Sequence, residues 1–364
     1  MLLLIPAVLL AVLCMWIVIP PLNTSSIILA VASIELSPYL LLLNMALLVI
    51  AHLTRWRWRR ATMFTLGANC VLCTLPMLAL VGTDAGRRPT DGHRTVTIAE
   101  RSIPVTLGSK HTQIRAYLPD MPQRSAAVFE IYGGAWQNGT PLSDAAIDRA
   151  LAHEGYAVFA VDYRHSPNYR FPAALDDVRS EIAMIRRHAQ QYHIDPDRTA
   201  VLGHSSGGEL AELLAFEPRS AVRALISYSG AVDLAMGYRY PPVPDPIGVR
   251  SVIENYIGDT PDRAPQRYLA ATPLVHVRRG LPPALLIYGS RDHVVDIRYA
   301  WKLRDALRAA GTSVTFLELP WTEHAFEEVS FGLHAPVAYR ATVEFLDGTF
   351  KGSPSKASRT LLRP

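Results

Sequence analysis

Cysteine is nearly absent from the 364-residue chain: Cys14, Cys70 and Cys73 are the only three, and all lie in apolar N-terminal segments. No disulfide framework can therefore hold the remaining residues, which must rely on a large hydrophobic core. Cys70 and Cys73 have C-x-x-C spacing, but no second pair of ligands accompanies them and zinc takes four. Two small residues one turn apart in an apolar helix account for them, and no metal or other cofactor is expected. Beyond these segments no basic helix or aromatic-basic platform appears. The net charge of +4 and pI near 9.0 therefore do not mark a nucleic-acid partner. The excess charge sits instead in Arg55, Arg57, Arg59 and Arg60 and in Arg87 and Arg88, beside apolar runs. The chain also has no G-x-x-x-x-G-K-[ST] phosphate loop after its glycine turns.

Charge is scarce throughout residues 1–83, and this quarter accounts for the positive mean hydropathy of +0.14. Residues 2–19 form an uncharged run long enough to cross a bilayer. The run lacks the basic start and small-residue cleavage site of a secretory signal, and a second apolar segment follows it closely. Residues 27–53, interrupted by Glu35 and Pro38, and residues 62–81 complete an expected set of three membrane helices. The loop at 54–60 carries four arginines and two tryptophans, which places it in the cytoplasm by the positive-inside rule. Everything after Val81 then lies outside the cytoplasm, although Arg87 and Arg88 pull the other way. An ionisable group within an apolar run raises a functional question. Glu35 is read as lying at the outer interface near the polar loop, and His52 at the opposite one.

A linker (84–93) leads to a second region, 94–350, with a different rhythm; 351–364 read as a loose tail. Residues 94–107 and 112–118 alternate as antiparallel strands do. Strands at 127–132, 156–163, 199–203, 224–229, 284–288 and 314–319 then alternate with helices at 143–154, 171–192, 206–216, 297–310 and 336–346. Ser143 is the expected N-cap of the first of these helices, and Pro172 sits in the first turn of the next. Such alternation means a parallel sheet covered on both faces. The proline-rich stretch 231–279 breaks the rhythm and reads as a lid or pocket wall with a short helix at 251–257.

Gly203-His204-Ser205-Ser206-Gly207 falls between an expected strand and an expected helix. A serine at such a turn is held in a strained conformation, and only small residues two positions to either side allow the close approach. Ser205 is therefore the candidate nucleophile. Its hydroxyl needs a base, and the base needs an orienting acid. In chains with this turn the acid comes next and the histidine last. Asp292, just past strand 284–288, is the preferred acid; Asp296 is the alternative, better suited to capping the following helix. Among His276, His293, His324 and His334, the preferred base is His324, which follows strand 314–319 through a short loop. Gly133, Gly134 and Ala135, after strand 127–132, together with the N–H of Ser206, are candidates to surround an oxyanion.

These pieces resemble the hormone-sensitive-lipase-like and feruloyl-esterase-like bacterial esterases of the α/β-hydrolase superfamily. The resemblance rests on Tyr132-Gly133-Gly134-Ala135-Trp136, Val161-Asp162-Tyr163-Arg164, Phe171-Pro172-Ala173-Ala174-Leu175-Asp176-Asp177 and Gly203-His204-Ser205-Ser206-Gly207-Gly208. Leu281-Pro282-Pro283-Ala284 leading to Asp292, and His324-Ala325-Phe326, continue it in order over about 230 residues. The resemblance implies an α/β-hydrolase fold and carboxylic-ester hydrolysis through an acyl-enzyme, with Asp162 and Arg164 bracing the floor rather than reacting. Tyr132 stands where the family usually has histidine, Ala135 where it has a third glycine, and Ser206 where it has alanine. A small-molecule or lipid ester and the bilayer are the expected partners. The same triad could instead pass the acyl group to an alcohol or lipid, and a prenylcysteine methylesterase is a narrower variant suggested by the membrane helices.

Overall fold

The computed structural model describes residues 3–54, 57–81 and 96–352. Arg55, Trp56, the linker with Arg87 and Arg88, and the tail from 353 lie outside the described residues. The second region is built on one eight-stranded sheet in the order β1-β2-β4-β3-β5-β6-β7-β8. Its strands are β1 (Ile98–Leu107), β2 (Lys110–Pro119), β3 (Ser125–Ile131), β4 (Ala157–Val161), β5 (Ile194–His204), β6 (Ala224–Tyr228), β7 (Ala284–Gly289) and β8 (Val314–Leu319). β1 pairs antiparallel with β2, and β2 with β4; all remaining pairs are parallel.

Every residue of β3, β4, β6 and β7 is buried, which is why these strands read as continuous apolar runs rather than alternating ones. One face is covered by α6 (Ala173–Arg187), α7 (Ser206–Phe216) and α11 (Ile297–Ala309), the other by α5 (Ala145–His153) and α12 (Ala335–Phe350). Within β3, Ala127, Phe129 and Ile131 enter the first core and Ala126 and Val128 the second, the period of two that a strand imposes. The expected N-cap Ser143 instead closes a turn by accepting from the Thr140 N–H (3.1 Å), and Asp144 occupies the cap position. The insertion holds three short helices where one was expected: α8 (Leu234–Arg239), α9 (Val249–Ile257) and α10 (Pro265–Ala270).

The N-terminal quarter departs from three full spans. α1 (Leu4–Met15) has 12 residues. At about 1.5 Å of rise per residue it reaches roughly 18 Å, against about 30 Å of hydrocarbon in a bilayer. Past its end come Pro20 and Pro21, which have no N–H to extend a helix, and Arg291 donates to Ile17 O (2.6 Å) and Val18 O (2.8 Å), and Trp321 Nε1 to Ile17 O (3.0 Å). The second expected span is broken into α2 (Thr24–Glu35) and α3 (Ser37–Leu53), bent by 71°. Pro38 lies in the first turn of α3 and favours a helix start there, since its missing N–H costs nothing at that position. Only α4 (Arg59–Val81), with 23 residues, is by itself long and apolar enough to cross a membrane among the described residues. Asn69 on α4 donates to Asn44 on α3 (3.0 Å) and to Ala7 O on α1 (3.3 Å). Polar contacts of this kind tie three helices together. Cys14 and Cys73 approach to 3.6 Å with both thiols free.

Glu35 corrects a specific expectation. It does not lie at a polar interface but is fully buried against the second region, accepting from His334 N (2.8 Å) and hydrogen-bonding His334 Nδ1 (2.7 Å). Its own carbonyl accepts from Leu333 N (3.0 Å). The apolar helices are thus docked onto the sheet domain at the start of α12.

Candidate active site

β5 runs directly into α7, and the turn between them carries Ser205 with φ 52° and ψ −115°. This sparsely populated conformation is one that a surrounding fold must enforce. A Cβ on Gly203 would lie 2.1 Å from Gly207 O, and one on Gly207 would lie 1.9 Å from Ile131 O, so neither position can carry a side chain. The Ser205 N–H is fixed to Tyr228 O on β6 (2.8 Å).

The structure brings the three preferred residues together. His324 Nε2 is 2.9 Å from Ser205 Oγ, and His324 Nδ1 is 2.8 Å from Asp292 Oδ2. Asp292 also accepts from the Val294 and Val295 N–H groups (2.8 Å each), so its orientation is set by backbone. Burial pulls the His324 imidazole down, but Asp292 beside it, aided by Glu327 and Glu323, more than offsets this and raises it to about 9. Asp296 caps α11 by accepting from Arg298 N (2.9 Å). His293 is held by Glu323 (2.6 Å), His276 by Ala270 O (3.0 Å) and His334 by Glu35, so none of these meets Ser205.

The loop after β3 comes up against the nucleophile: a Cβ on Gly133 would lie 3.2 Å from Ser205 Cβ. Gly134 has φ 129°, and Ala135 and Trp136 follow at 56° and 59°. Three consecutive positive φ values turn this segment sharply over the start of α7, where Ser206 stands buried. Tyr132 anchors the base of the loop by donating to Asp162 Oδ1 (2.5 Å). Asp162 also accepts from Lys110 (2.7 Å), Thr112 and Tyr163 N (2.8 Å). Burial raises the Asp162 carboxyl, but these donors outweigh burial and leave it below the usual range. Arg164 forks onto Asp177 (2.8 Å) and ties β4 to α6.

Two features were not legible in the sequence. Glu209, fully buried on α7, accepts from Trp136 Nε1 (3.1 Å) and Tyr256 OH (3.2 Å), whose rings stack at 4.1 Å. It pins the loop to the nucleophile helix and to α9, and burial holds its carboxyl well above the usual range. The sequence signal was only a pair of acidic residues, Glu209 and Glu212, within an otherwise largely apolar helix. The second feature is a polar cluster behind Ser205. His204 Nδ1 bonds Glu327 (3.1 Å), and its Nε2 lies 3.9 Å from Asp144, near the buried Glu130 and Asp148. Glu130, Asp144 and His204 present ligand atoms within 4.8 Å of one another and are the residues that could hold a cation. Burial first, then the neighbouring carboxylates, hold Glu130 and Asp148 well above the usual range. Burial lowers His204, but Asp144 and Glu327 raise it to about 9.

Ser205 opens onto two spaces. A narrow pocket of about 70 Å³ is walled by Trp136, Leu234, Val249, Ile253, Val295 and Tyr299, largely from the insertion and the start of α11. A wider cavity of about 510 Å³ holds Ser205, His324 and the 133–135 loop, and α2 contributes Thr24 and Ile27 to it.

The chain is similar to several known proteins. The chain is 30% identical over 223 residues (57% of its length) to a probable carboxylic ester hydrolase, LipM, of Mycobacterium tuberculosis. It is 33% identical over 233 residues (60%) to the esterase LipC of the same organism. The matches span 51% and 58% of those relatives, so the chain covers little more than half their length. Among solved structures, an esterase of Pyrobaculum calidifontis superposes with TM-score 0.60 at 21% identity, covering 77% of this chain and 91% of that one. An arylesterase superposes with TM-score 0.58 at 24% identity, covering 76% and 91%. At these identities the structural likeness establishes the α/β-hydrolase fold alone. The BD-FAE family model matches residues 115–307, a stretch that runs from β2 into α11 and contains the glycine loop, Ser205 and Asp292. Because that match exceeds half of the 364 residues, the chain belongs to the BD-FAE family.

Proposed function

We propose that the chain is a membrane-attached serine hydrolase that cleaves carboxylic esters through an acyl-enzyme. The observation that carries this reading is the continuous hydrogen-bonded line from Asp292 through His324 to Ser205 at 2.8 and 2.9 Å, ending beneath a glycine loop. Ser205 Oγ forms a bond to the ester carbonyl carbon while its proton passes to His324 Nε2. The carbonyl π pair moves onto oxygen, which the N–H groups of Gly133, Gly134, Ala135 and Ser206 surround. The pair returns as the C–O bond to the alcohol breaks, and His324 hands its proton to the departing alkoxide. Water then attacks the acyl-enzyme along the same route, releasing the acid and restoring Ser205. Asp292 holds the imidazole in the tautomer this requires.

Attachment to a membrane is supported by α4 and by the broad apolar surface of the four helices, including Phe64 (80% exposed) and Leu42 (66%). Exposed apolar area on that scale marks a surface meant to be covered. With the arginines before α4 in the cytoplasm, the catalytic domain lies outside. The chemistry is tested with p-nitrophenyl esters of graded chain length: Ser205→Ala should lose at least about 10⁴-fold in kcat. Equal rates for the two proteins would refute the nucleophile assignment. Placement is tested by protease added to intact cells, where a fully protected catalytic domain would overturn the outside location.

A further inference from the structure

The helix α2 belongs to the active-site cavity as well as to the apolar region. Thr24 and Ile27 line the space that holds Ser205 and His324, and Thr24 Oγ1 lies 3.4 Å from Pro246 O of the insertion. α2 cannot drift from this place cheaply. Asn23 and Ser26 cap its start reciprocally (3.0 and 2.9 Å), and Glu35 at its end is bonded to His334. Just before it, Ile17 and Val18 are held by Arg291 and Trp321.

The cavity has two characters. Ile27, Ile247, Val252 and Val294 give it an apolar wall, whereas Asp144, Glu327 and Glu328 with Gln137 and Asn138 give it a polar one. No lysine or arginine is among its described lining residues, and its two histidines are already held by carboxylates, His204 by Glu327 and His324 by Asp292. The pocket under the insertion, lined mainly by apolar side chains, suits the acyl chain. The wider cavity is then left for the other half of the ester.

Resting on the ester-hydrolase reading, we propose that this cavity between α2 and the catalytic domain is the alcohol-binding subsite. It takes an uncharged or cationic alcohol and discriminates against a phosphate-bearing one. A phosphate placed there finds no uncommitted basic partner, because His204 is paired with Glu327 and His324 with Asp292, and it crowds the Glu328 carboxyl group. Ile27 sets the width of the subsite from the α2 side.

The test uses the full chain in detergent with butyrate esters of glycerol, choline and glycerol phosphate. The glycerol and choline esters should exceed the phosphate ester at least tenfold in kcat/KM, and Glu328→Gln should narrow that gap about threefold. Ile27→Trp should raise KM for glycerol butyrate about tenfold with a smaller change in kcat, while Ile27→Ala should leave KM equal or lower and admit bulkier alcohols. Equal turnover of all three esters, or wild-type KM and wild-type alcohol range in both Ile27 variants, overturns the proposal. Should none of the esters be cleaved, Ser205 labelling by a fluorophosphonate separates the two readings. Protection by glycerol and choline but not by glycerol phosphate supports the subsite even if the reaction is not hydrolysis. No protection by any of them removes the subsite.

Discussion

The two halves of this chain solve the problem of buried polar groups differently. The catalytic domain buries Glu130, Asp148, Glu209, Glu212 and His324 at the sheet's rim and in its helices, and several are tied into networks around Ser205. The N-terminal helices bury Asn44, Asn69 and Ser33 in a few side-chain contacts between helices, and leave much of their apolar surface outward. A domain with reactive charges must surround them with low dielectric to tune them, whereas an apolar helix bundle need only satisfy the few polar groups it buries. Glu35 is where the two solutions meet, since an acid from the apolar half finds its partner in the catalytic half.

The contrast is tested most severely at the triad. Asp292→Asn keeps the shape of the site but disturbs the tautomer of His324, so kcat should fall by about 10⁴-fold. Because Asp292 is the chief group raising His324, the rising limb of kcat/KM against pH, near 9 in the parent, should also move down. A pH–rate profile of both proteins checks this, and an unmoved limb would assign it to another group.

Stability against pH is the next effect, and it belongs to the catalytic half. His204 and His324 are raised from 6.5 to about 9, Glu212 from 4.5 to about 8 and Glu181 from 4.5 to about 9, burial being the main cause for the two acids. The folded state therefore binds more protons than the unfolded one between about pH 4.5 and 9. Stability from these groups is fully present below their unfolded values and is lost as pH rises through the folded ones. His165, lowered mainly by burial, opposes the trend only near 6.5. The midpoint of thermal unfolding should fall between pH 6 and 9; a flat or rising midpoint would contradict the sign.

The smallest effect sharpens the seam. Glu35→Ala leaves the His334 N–H and imidazole without their acceptor, a loss of about 2 kcal/mol. Hydrogen exchange along α2 should quicken by more than tenfold while β5, β6 and β7 stay protected. If exchange rises equally in both halves, the helices and the sheet unfold as one unit.

Much of the catalytic half was legible because periodicity and turn chemistry are local. Strand–helix alternation announced the parallel sheet, and Gly203 and Gly207 announced the tight turn at Ser205. The histidine could be chosen from four because His324 closely followed a strand's C-terminal end, whereas His293 abutted the acid and His276 lay in the insertion. Glu209 and the Glu130–Asp144–His204 cluster were not legible, since each depends on partners far away in sequence. The N-terminal quarter misled for a related reason. Hydropathy counts apolar residues but not where a helix ends or docks, and Ile17 and Glu35 are held by Arg291, Trp321 and His334 from the other end of the chain.

The sequence by itself determined the fold class and the turn that strains Ser205, because strand–helix periodicity and turn chemistry are local, while the order of acid and histidine behind it came from the family resemblance. Only the tertiary structure decided that α2, while still packed on the apolar helices, also walls the cavity at Ser205. That placement depends on one buried carboxylate meeting a histidine 299 residues away, and no local pattern encodes such a meeting.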